Sequence, residues 1–147
     1  MHDLINSLAV IQAVAPQTVL SAPVAGAAID MQGAENLAFI VAVGAVGDAL
    51  DADNRIDVKI EHADDDGSGN AGAYAACGDA DVLGASGLAN GIFLSIDAAG
   101  KTNKRHTLAY QGGKRFVRVS ATPVSLESGG ALAVLAIKGN LAQKPQA

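Results

Sequence analysis

The chain has 147 residues, enough for one domain that buries about two-thirds of its unfolded surface. Only five residues are aromatic (Phe39, Tyr74, Phe93, Tyr110, Phe116), so the core must be built from Ala, Val, Leu and Ile, which bury little area each and favour further burial against partners. A net charge of −5 argues against general nucleic-acid binding, the single Cys77 excludes an internal disulfide framework, and no apolar run reaches the length of a membrane span.

Leu4, Leu8, Ile11 and Ala15 recur at helical spacing, with Asp3 as N-cap and Pro16 as stop. This predicts a short amphipathic helix over 3–14. The β-branched Val10, Ile11 and Val14 keep an extended arm as the alternative. The N-terminus has no charged n-region and apolar stretch of a secretory signal, so a soluble, cytosolic product is expected.

After Pro16 the pattern turns β. Short strands are expected at Thr18 to Leu20 and Ala27 to Met31. Leu37 to Val43 is a continuous apolar run. Arg55 to His62 alternates, with Ile56, Val58, Ile60 and His62 on one face and Arg55, Asp57, Lys59 and Glu61 on the other. A polar turn follows at Asp64 to Gly69. Further strands are expected at Tyr74 to Ala76, Ile92 to Ile96, Arg105 to Tyr110, Arg115 to Ala121 and Leu132 to Ile137. Gly112-Gly113 reads as a hairpin turn. Eight or nine short strands make an all-β fold, a β-sandwich or jelly-roll-like barrel with a short N-terminal helix or arm. The domain reads as one: an arm over 1–16, a sandwich over 17–140 and a tail over 141–147.

Two features point to assembly. Leu37 to Val43 and Leu132 to Ile137 are apolar on both faces, and a doubly apolar strand needs a cover, supplied by the N-terminal helix or by a partner. Charge is also sorted: residues 1–99 hold fourteen acids and two bases, whereas residues 100–147 hold one acid and eight bases. Such halves meet either within one fold or between copies. Phe116 beside Arg118, across the pleat from Val117 and Val119, has the composition of an interface anchor, with a core placement as the alternative.

Chemical motifs are weak. Asp51, Asp53 and Asp57 start like a calcium loop, but Arg55 and His62 occupy positions that break the EF-hand pattern. Asp64, Asp65, Asp66 and Asn70, and Asp79 with Asp81, read as solvated acidic turns before they read as calcium ligands. His2, His62, His106 and Cys77 lack close zinc spacing, and His62 reads as a satisfied core or rim histidine. Ser86 in Gly84-Ala85-Ser86-Gly87 lacks the Gly-x-Ser-x-Gly context of a nucleophile elbow. No enzyme, catalytic residue, metal or cofactor is expected.

Three stretches carry a family resemblance: Ala28-Ile29-Asp30-Met31-Gln32-Gly33 followed by Leu37-Ala38-Phe39; Val58-Lys59-Ile60-Glu61-His62-Ala63-Asp64-Asp65; and Tyr110-Gln111-Gly112-Gly113-Lys114-Arg115-Phe116-Val117-Arg118-Val119. Over about residues 28–140 these resemble small structural proteins of tailed bacteriophages and prophages, with Phe116 where that pattern has Tyr. The resemblance implies a virion component, a capsid decoration or cement protein made in the bacterial cytoplasm. It implies a homotrimer bound to the major capsid protein, while the charge balance and the lack of a long apolar run leave neither nucleic acid nor membrane as an expected partner. On that reading Lys114, Arg115, Phe116 and Arg118, the strand carrying Leu132, Val134, Leu135 and Ile137, and the arm residues Leu4, Leu8 and Ile11 are the candidate contacts. A tail or baseplate component, and a calcium- or carbohydrate-binding β module, are the alternatives.

Overall fold

A computed structural model describes residues 4–142. Its ten strands are β1 (Ala9–Val19), β2 (Val24–Ala25), β3 (Ile29–Asp30), β4 (Ala34–Val46), β5 (Arg55–Ala63), β6 (Ala75–Ala76), β7 (Ile92–Ile96), β8 (Lys104–Tyr110), β9 (Phe116–Val124) and β10 (Gly130–Leu141). They form two antiparallel sheets. The first runs β1-β10-β4-β8; in the second, β9 and β5 are central, β2 and β3 both pair with β9, and β6 and β7 both pair with β5. With each short pair counted as one position, this is the strand order of a jelly roll. The fold is an all-β sandwich. Among the described residues the helical turns are single 3-10 turns at Ile5–Ser7, Asp79–Asp81 and Ala99–Lys101.

The core follows the alternation. Phe39 and Val41 of β4, Ile56, Val58 and Ile60 of β5, Val117 and Val119 of β9, and Val134 and Ala136 of β10 are sealed between the sheets. Gly26 joins the layers at one edge: its N–H donates to Val119 O at 2.9 Å, and the next N–H, of Ala27, donates to Ala13 O at 2.8 Å. A Cβ on Gly26 would sit 2.3 Å from Val119 O, so the two layers meet there only because the side chain is missing.

Several expectations are corrected. Over the described residues 4–14 the expected helix does not form, and Ile5–Ser7 is a single 3-10 turn. Ala9 to Val19 is a strand in register with β10, from Ala9 opposite Lys138 to Val19 opposite Gly130. Its β-branched residues favour extended backbone, and Pro16, which has no N–H to give, sits where the register shifts between Val14 and Gln17 on an edge strand. The body of the fold therefore begins well before residue 17, and β10 continues to Leu141, opposite Ala34. The rest of the expected tail, 143–147, lies outside the described residues, as do residues 1–3. Gly112-Gly113 is not a hairpin: β8 pairs with β4 and β9 with β5, so this link crosses between sheets. Leu108 and Val117 both need the core, and they reach it from opposite layers.

Candidate interaction surface

The outer face of the first sheet is apolar over most of its breadth. Strand register puts Val10 beside Ile137, Gln12 and Ile40 beside Leu135, Ala42 beside Ala133, and Thr107 beside Ile40. Val10 is 61% exposed and Leu135 39% exposed, and Ala42 and Ala131 are open as well. Val10, Ala42, Ala131 and Leu135 are left uncovered by the described residues. The N-terminal strand extends the sheet instead of roofing it, and Leu8 shields only the end near Gly139. There a groove of about 570 Å³ opens between Leu8, Ala38, Leu83, Ala109 and Ile137. Leu135 and Ile137 thus lie where the sequence placed them, on the face opposite Leu132 and Val134.

The other expected contacts are dispersed. Leu132 and Val134 are core residues and offer no surface. Leu4 is 67% exposed, Leu8 lines the groove, and Ile11 packs partly against the core. Phe116 stands on the face opposite Val117, yet it is only 5% exposed, with the Arg115 guanidinium 5.0 Å from its ring centre. That corrects its reading as a surface anchor.

The basic strand finds its acids within the same fold. Arg115 holds Asp30 in a two-pronged pair, Nε at 3.0 Å and Nη2 at 2.9 Å, and also reaches Asp65; Lys114 pairs with Asp64. The Arg115 hydrogen bond holds the Asp30 carboxyl below its usual range against a smaller opposing effect of burial. Arg118 Nε donates to Glu61 at 2.8 Å and its guanidinium lies 3.8 Å from the centre of the Tyr74 ring. Burial works against the Glu61 charge, but the Lys59 and Arg118 bonds together hold its carboxyl below the usual range. The charge sorting is thus largely a pairing of neighbouring strands and loops.

The acidic turns are likewise occupied by their own backbone. Asp65 accepts the Gly67 and Gly69 N–H groups, and Asp66 accepts those of Ser68 and Asn70. Asp79 accepts Gly87 and Leu88 N–H at 2.7 Å each, which ties down the loop carrying the exposed Ser86.

One cluster escaped the sequence reading. His62, Cys77 and Asp81 bring a ring nitrogen, the thiol sulfur and a carboxylate oxygen to within 4.8 Å of one another. His62 Nδ1 is 3.0 Å from Tyr110 Oη, so the expected satisfied histidine is observed. Burial pushes the Cys77 thiol up to about 12, aided by Asp81 and Glu61. The only advance signals were His62 on the inner face of its strand and Cys77 four residues before Asp81. Nothing in the sequence pairs 75–76 with 61–62, as β6 and β5 do.

No protein-family model matches the chain, and no curated protein matches it. A solved chain described under "Bacillus endospore appendages form a novel family of disulfide-linked pili" is 10% identical, with 92% of this chain and 90% of that chain covered and a TM-score of 0.41. That likeness is too distant to support a functional argument.

Proposed function

We propose that the chain is a non-enzymatic structural subunit that docks on a larger protein shell, of the virion decoration type, through the outer face of its first sheet. The observation that carries this reading is the open apolar face around Val10, Ile40, Leu135 and Ile137. Water-facing sheets normally alternate to polar residues on that side, and an uncovered apolar face of this breadth marks an interaction site. Two further points support the virion setting. The short β motifs are similar to those of phage structural proteins, and the jelly-roll order is shared by capsid and lectin domains. The paired arginines are fold elements, so docking is assigned to the sheet face.

The test is Leu135→Glu combined with Val10→Glu, both at exposed positions. Occupancy on purified capsids, counted by cryo-electron microscopy, should fall more than about tenfold, while the melting transition moves by no more than about 0.5 kcal/mol equivalent. Undiminished occupancy, or a wild-type chain that binds no shell and stays monomeric at high concentration, overturns the reading.

A further inference from the structure

The His62, Cys77 and Asp81 cluster sits beside Tyr110, with Cys77 buried in the core. We propose that these three side chains form a binding site for one zinc ion, with the fourth coordination position left to solvent. The argument begins with the donor set. One thiol, one imidazole and one carboxylate suit zinc, whereas calcium and magnesium take oxygen ligands. Next comes distance. A tetrahedral zinc with bonds of about 2.0–2.3 Å holds its ligand atoms about 3.3–3.7 Å apart. The present separations reach 4.8 Å at most, and His62 Nδ1 to Asp81 Oδ1 is 3.9 Å. Closing that gap calls for donor shifts of about 1 Å.

The backbone is already fixed for this purpose. His62 sits in β5 between Val117 and Ala75. Cys77 N–H donates to Ile60 O at 3.2 Å, Asp81 N–H to Gly78 O at 3.0 Å, and Gln111 N–H to Asp81 O at 2.8 Å. Asp81 Oδ2 accepts the Gly78 N–H at 2.9 Å, which orients the carboxylate and leaves Oδ1 toward His62. Zinc on Nδ1 replaces that nitrogen's contact with Tyr110 Oη at 3.0 Å, and the hydroxyl keeps the Lys114 N–H, which it accepts at 3.1 Å.

A second observation concerns space. A Cβ on Gly112 would lie 2.5 Å from Tyr110 Oη and 2.6 Å from Asp81 Oδ1. Gly112 is absent from the residues with left-handed φ, so glycine serves here to keep room beside the donors, not to make a turn. The His62 and Asp81 side chains are 12% and 24% exposed, which gives an ion a way in, whereas Cys77 is sealed behind them.

Tag-free, reduced full-length protein would be titrated with cobalt as a spectroscopic stand-in, then with zinc against a chromogenic chelator. Saturation at one ion per chain is expected, with tetrahedral visible bands and a thiolate-to-cobalt band in the near ultraviolet. Because Cys77 is the only cysteine, that band identifies its ligand without any variant. Asp81→Asn, which keeps an acceptor for Gly78, should weaken zinc binding more than about tenfold, since even supporting partners of metal ligands are worth that much. Absence of the thiolate band, or zinc affinity unchanged in Asp81→Asn, overturns the site.

Discussion

Glu61 shows how single residues in this chain are held. It is 7% exposed and carries a charge that would be expensive to bury alone. Lys59 on its own strand and Arg118 on the neighbouring strand approach within 2.7 and 2.8 Å, and Tyr74 lies over the arginine. Truncating Arg118 to Ala strips one partner from a buried carboxylate, and the expected loss is about 1–3 kcal/mol in urea denaturation. A double-mutant cycle with Glu61→Gln should give a coupling of at least about 0.5 kcal/mol; additive losses would mean the pair is ornamental. At this scale the sequence was informative about face and poor about burial. The alternation from Arg55 to His62 correctly separated Ile56, Val58 and Ile60 from Asp57 and Glu61. It did not show that the outer carboxylates would be covered, because Ser95 and Arg118 arrive from neighbouring strands that are distant in sequence.

At the scale of elements, local preference and tertiary pairing disagreed at both places where the expectation failed. Helical spacing in 3–14 competed with β-branching, and the long pairing with β10 decided it. Gly112-Gly113 had the chemistry of a tight turn, but turn chemistry alone does not say whether the next strand lies beside the last or across the core. The inter-sheet seam makes a sharp prediction. Gly26→Ala pushes a methyl against Val119 O, whose backbone is fixed in β9, so a loss of more than about 2 kcal/mol is expected. Equilibrium unfolding of this variant beside Gly33→Ala separates the steric cost from the left-handed strain, since Gly33 has φ +76° and open space. A mild effect at Gly26 would mean that the seam yields.

For the whole molecule, acid is the revealing variable. Asp30 is held low chiefly by Arg115, Asp97 chiefly by Lys101, Asp48 by the Glu127 N–H, and Asp65 by the Gly69 N–H. Carboxyls that ionise more readily when folded contribute stability above the unfolded carboxyl range. That contribution disappears as pH falls through their lowered folded values. Stability should therefore stay level from neutrality to about pH 4 and fall steeply below it. Denaturant midpoints measured across that range check the sign; a fall beginning near pH 6 would implicate histidine instead. The global class was legible because strand after strand alternated between turn signals. The apolar outer face was legible in part, through the two doubly apolar strands, while its breadth depended on which strands became neighbours.

The first sheet also has two edge strands, β1 and β8, the latter bridged by Val82 and Leu83 at its Tyr110 end. On β1, Pro16 withholds a donor where the pairing slips, and on β8 the exposed Lys104 and Arg105 hold charge at the border. Strand-by-strand growth into fibres is thus discouraged at both margins. On the proposed reading, contacts with other molecules are then made by the flat of the sheet and not by its margins.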